Sequence, residues 1–155
     1  MASASVTWTS GKQLVAESSS GHAIVLDAPE EVGGRNTGAT PMELLLASLA
    51  GCTSIDVLFI LGDRMKKPIT TLSVHGTGER AAEPPKVYTK IDVRYAVSGP
   101  GLRKKDALRA IRLSAETFCS VSVMLGKTAK ITHHYEITDT SSGETHSGAL
   151  ADDEG

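Results

Sequence analysis

The stretch TPMELLLASLAGCTSIDVLFIL, residues 40–61, is a nearly unbroken apolar run with a thiol, Cys52, at its centre and one acid, Asp56, four residues later. Thr40 is an N-cap residue type, Pro41 suits the first helical position, and Glu43 complements the positive end of a helix. The helix is predicted to reach about Met65, where two lysines favour a C-terminus and Pro68 forbids continuation. Residues 44–61 are just long enough to span a membrane. They include Ser48, Gly51, Thr53, Ser54 and Asp56, however, and a mid-span Asp costs roughly 2.5–3.5 kcal/mol on insertion scales. The expectation is a helix enclosed by protein on all sides, with no membrane partner.

Upstream, 5–10, 13–18 and 22–27 read as three short strands joined by turns, followed by a Gly- and Pro-containing loop. Downstream, 70–80 and 86–99 read as longer strands; Val87, Ile91, Val93, Tyr95 and Val97 alternate so that one face is buried. Apolar residues at 102, 107, 108, 111 and 115 have helical spacing, 119–127 reads as a short further helix, and 129–138 as a closing strand. This order predicts an α+β fold with sheet packed on a central helix. A helix apolar all round needs more cover than one short sheet supplies, and a tightly wrapped homodimer would provide it.

The chain has 155 residues, room for one domain, expected over 1–138, with the polar, acidic 139–155 as a disordered tail. A net charge of −2 and the short basic run at 103–105 exclude a nucleic-acid footprint. The N-terminus lacks the pattern of a secretory signal, so a cytoplasmic protein is expected. Two cysteines 67 positions apart make neither a small disulfide scaffold nor a closely spaced zinc site. His133 and His134 are adjacent in a strand, point to opposite faces and cannot share one metal. No metal site and no cofactor is expected.

A cysteine reacts as its thiolate, and burial alone works against that form. Cys52 in an apolar helix is therefore reactive only where a cation or several donors face it. Cys119 stands just before a short helix, where free backbone N–H groups favour an anion and Ser120 and Ser122 add donors. Either cysteine also reads as a small buried hydrophobe. Residue pattern alone leaves both readings open.

PMELLLASLAGC at 41–52, IDV at 55–57, AETFCSVSVML at 115–125 and ITHHYEI at 131–137 resemble the OsmC/Ohr superfamily, and within it the OsmC-like, YhfA-type branch. The resemblance spans roughly 5–138. It implies an intertwined homodimer with antiparallel sheets wrapped around two central helices and active sites at the subunit interface. It also implies thiol-dependent reduction of hydroperoxides, preferably organic ones, in oxidative stress defence. Cys52 would be the peroxidatic thiol and Cys119 the resolving one, with a dithiol reductant reopening the disulfide.

In the peroxidase branches a glutamate directly follows the motif proline and an N-terminal arginine contacts the thiol. Here Met42 follows Pro41, the acid is Glu43, and no arginine precedes Arg35. Glu43 and Arg35 are the candidate assisting residues. Nine helical residues put Glu43 and Cys52 on opposite faces and about 13 Å apart along the axis, so Glu43 would have to act across a dimer interface. The other reading makes Glu43 a helix-start acid and Arg35 a solvated loop residue. Asp56 shares the face of Cys52 and would raise the thiol pKa; a structural bond to a buried donor is its expected role. Two further functions stay open: a non-catalytic dimeric stress or small-molecule-binding protein that keeps the core without the thiolate-stabilising charges, and a dithiol–disulfide exchange protein that uses the same residues.

Overall fold

The computed structural model describes residues 1–153. It is α+β, as expected, and divides into two compact units, one of residues 1–45 and one that begins at Leu46. In the first unit β1 (Ala4–Ser10), β2 (Gln13–Ser18) and β3 (Ala23–Leu26) form an antiparallel sheet. The loop after β3 is pinned by Asp27, which is buried and accepts hydrogen bonds from the backbone of Ala28 (2.8 Å), Arg35 (3.1 Å) and Thr37 (3.1 Å) and from Thr37 Oγ1 (2.7 Å). These donors, the Thr37 hydroxyl first, hold its carboxyl down at about 2. Val6, Trp8, Ile24 and Val25 on the sheet remain exposed.

Helix α1 (Pro41–Leu58) starts where its cap residues put it and ends in a wider π-type turn, Phe59–Arg64. Together Pro41–Arg64 is long and apolar enough to cross a membrane by length and composition. The expectation of an all-round enclosed helix does not hold within one chain. Leu49, Thr53, Val57, Ile60 and Leu61 form one buried stripe at helical spacing, while Ile55 (69% exposed), Leu58 and Phe59 face outward. Complete burial of an aliphatic side chain stabilises by roughly 1.5–3 kcal/mol, so the buried stripe anchors the helix and the outward one does not.

The second unit's sheet has the order β4 (Thr71–Arg80), β5 (Tyr88–Gly99), β6 (Lys130–Asp139) and β7 (Thr145–Ala149). Ile91, Val93, Tyr95 and Val97 on β5 are buried, as the alternation predicts, whereas Val87, expected on the same face, precedes the strand and is 38% exposed. Two features correct the sequence reading. First, β5 and β6 pair in parallel, so the sheet is mixed and not antiparallel throughout. The chain between them passes through α2 (Lys104–Leu113) and α3 (Ser120–Leu125), and such a crossover returns the second strand in the same direction. Second, residues 145–149, expected to be disordered, form β7 against β6 and run into a 3₁₀ turn at Leu150–Asp153. Polar residues suit an edge strand as well as a tail, because only one face of it is covered.

Candidate active site

Cys52 sits in the middle of α1, and Cys119 caps α3. Between α2 and α3 the chain makes a π-type turn, Ser114–Phe118, in which the Cys119 N–H donates to the Ser114 carbonyl at 2.9 Å. This wider winding sets the position of the second thiol. The two sulfur atoms and a carboxylate oxygen of Asp56 all lie within 4.8 Å of one another. Both cysteines are free thiols; Cys52 is partly exposed and Cys119 fully buried.

The sequence leads one to expect an anion-favouring site at Cys119. The helix-start N–H is there: Ser122 donates its backbone N–H to Sγ at 3.4 Å, though not its hydroxyl. The net effect is nevertheless the reverse, with the thiol pushed up to about 11. Burial dominates, and the neighbouring Cys52 and the Asp56 carboxylate reinforce it, outweighing one backbone donor. Cys119 therefore rests as a neutral thiol.

Asp56 leads into a buried polar chain that sequence reasoning did not find. Ser114 donates to Asp56 Oδ2 (2.9 Å), Thr53 Oγ1 bonds Ser114 Oγ (2.8 Å) and the Tyr95 hydroxyl (2.9 Å), and that hydroxyl bonds His133 Nδ1 (3.1 Å). Thr53, Tyr95 and Ser114 are each at most 2% exposed, so nothing else solvates these groups. Burial pushes the Tyr95 hydroxyl up to about 12 and lowers His133, which favours the neutral form of both. His134, on the other strand face, bonds Asp92 at 2.8 Å, as the opposite-face reading requires. A depression of about 600 Å³ on the sheet, lined by His75, Arg94, His134 and Glu136 among others, does not include either thiol.

The other two sequence candidates belong to the first unit, where each has a local partner. Glu43 Oε2 accepts the Thr40 N–H at 2.7 Å, and Thr40 Oγ1 accepts the Glu43 N–H at 3.2 Å, a reciprocal capping box. The Thr40 bonds lower the Glu43 carboxyl. Arg35 donates from Nη2 to Ser10 Oγ at 2.7 Å. Two thiolates and one carboxylate at the observed spacing are also three ligands of the kind zinc accepts, at about 2.3 Å to sulfur and 2.0–2.2 Å to oxygen. That set is spread over 52, 56 and 119, a pattern no local motif reveals.

Residues 34–134 match the model of the family described as OsmC-like protein. The chain is 37% identical over 134 residues to protein YhfA of Escherichia coli K12, covering 86% of this chain and 96% of that one. A hypothetical protein from Aquifex aeolicus VF5 superposes with a TM-score of 0.77 at 25% identity, over 89% of this chain and 96% of the other. An organic hydroperoxide resistance protein OsmC from Legionella pneumophila gives 0.65 at 19% identity, over 88% and 96%, a likeness of fold.

Proposed function

The chain belongs to the OsmC-like protein family, and on that premise we propose that it is a cysteine-based hydroperoxide reductase of the oxidative stress response. The observation that carries this reading is the meeting of two sulfurs, 67 residues apart in sequence, within 4.8 Å. A protein of the same fold bears the name organic hydroperoxide resistance protein. Cys52 is the peroxidatic thiol, because it is the more exposed of the two and Cys119 is held neutral. Its sulfur attacks one peroxide oxygen, the S–O bond forms as O–O breaks, and the alcohol leaves with the thiol proton. The Cys119 sulfur then displaces water from the sulfenic acid to give the disulfide, which a dithiol reduces.

The outward apolar stripe of α1, with Ile55, Leu58 and Phe59, and the exposed apolar residues of the first sheet are covered by a second copy of the chain. An apolar setting favours organic hydroperoxides, and the cytoplasm keeps the pair reduced between turnovers. The test is consumption of cumene hydroperoxide with a dithiol. Cys52→Ser abolishes it, and Cys119→Ser leaves a sulfenic acid at Cys52 that dimedone traps. Full activity in Cys52→Ser rejects the assignment.

One observation favours a second reading, a non-catalytic dimeric binding protein: the side chains acting on Cys119 are a thiol and a carboxylate, not a cation. That reading expects free thiols to persist at both positions after peroxide treatment.

A further inference from the structure

A carboxylate oxygen of Asp56 lies within 4.8 Å of both sulfurs. We infer that Asp56 takes the thiol proton during attack and returns it to the leaving group, and that His133 positions it through the buried chain. This inference rests on the peroxidase reading for its chemistry, but its hydrogen-bond logic does not.

A hydroxyl has one hydrogen to give. Ser114 spends its hydrogen on Asp56, so between Ser114 and Thr53 the donor is Thr53. Thr53 has then spent its own, so Tyr95 donates to Thr53. Tyr95 in turn has none left, and the bond to His133 needs a hydrogen on Nδ1. All four bonds therefore point one way, toward the carboxylate, and neutral His133 is held as its Nδ1–H tautomer. With one oxygen fixed by Ser114, the carboxylate keeps its remaining acceptor capacity for the thiols within 4.8 Å.

The step balances without a cation. As Cys52 sulfur bonds to the distal peroxide oxygen, the S–H proton passes to Asp56; as O–O breaks, the alkoxide takes that proton and leaves as the alcohol. Two electrons go from sulfur to oxygen, and Asp56 ends as it began.

Asp56→Asn separates this from simple electrostatics because two rates move in opposite directions. The substitution takes a negative charge from within 4.8 Å of both sulfurs, so alkylation of Cys52 by iodoacetamide at pH 7 quickens. Loss of the proton carrier slows cumene hydroperoxide reduction by about a hundredfold or more, the usual scale of general acid–base catalysis. Asp56→Glu restores at least a tenth of the lost rate. A peroxide rate in Asp56→Asn equal to or above wild type overturns the role, as does a Glu variant no better than Asn. For His133, ¹⁵N ring shifts of the labelled wild-type protein show the Nδ1–H tautomer, and Tyr95→Phe returns the ring to Nε2–H. An Nε2–H ring in the wild type overturns the positioning role. A wild-type protein that consumes no peroxide rejects the peroxidase reading instead and leaves the tautomer result standing.

Discussion

Thr53→Val tests the buried chain in its middle with almost no change of shape. The substitution removes a hydroxyl that bonds Tyr95 at 2.9 Å and Ser114 at 2.8 Å, at a site 1% exposed. Tyr95 keeps its hydrogen and loses the acceptor for it, and a stranded buried donor costs about 1–3 kcal/mol. Ser114 loses a donor but still gives its own hydrogen to Asp56, a smaller loss of about 0.5–1 kcal/mol. The sum is about 1.5–4 kcal/mol, which for a chain of this length lowers the thermal midpoint by about 3–16 °C. Urea unfolding at one fixed protein concentration measures it, with an unchanged slope and a lower midpoint. The decisive arm is the cycle with Tyr95→Phe. Removing both partners leaves nothing stranded between them, so the double variant is less destabilised than the two single ones summed, by about 1 kcal/mol. Additivity within about 0.5 kcal/mol would mean that the two hydroxyls do not depend on each other and that no such chain exists.

Three further outcomes are expected. Cys119 binds its proton more tightly folded (about 11) than unfolded (about 9.0), so its contribution to stability is complete below pH 9 and is lost as pH rises toward 11; in Cys119→Ala this part of the alkaline decline, followed by denaturant midpoint against pH, disappears. Asp27 is held at about 2 against an ordinary 3.8, so its contribution is present above pH 4 and is lost as pH falls toward 2; Asp27→Asn lowers stability at pH 7 and flattens the acid limb of the same plot. Glu43→Gln keeps the reciprocal cap and full peroxide turnover, whereas Glu43→Ala loses about 0.5–1.5 kcal/mol of stability with turnover intact; a Gln variant that is stable but inactive would show that the carboxylate acts in chemistry after all.

Much of the architecture was legible. The Thr40–Glu43 cap, the π-ended helix stopping before Pro68, and the alternation of β5 all follow from local rules that depend on neighbours three or four residues away. The direction of β6 and the existence of β7 did not follow. Strand polarity depends on the route of the connection, and 145–149 carries no apolar alternation to mark it as paired. The polar chain left a signal that could have been used: Thr53 and Ser114 interrupt apolar helical runs, and His133 falls in register with Ile131, Tyr135 and Ile137 on the inward set of its strand. Each residue taken alone reads as an ordinary core exception, and only their meeting makes them a network.

The sequence alone was enough to place the helices and strands up to residue 139, and to show that two cysteines stand in two distinct motifs, because both are properties of short windows. Whether the sulfurs meet, and that Asp56 stands beside them, was decided by tertiary structure. The reason is physical: a thiol's charge state is set by desolvation and by the groups within a few ångströms, and in a folded chain those groups come from positions tens of residues away.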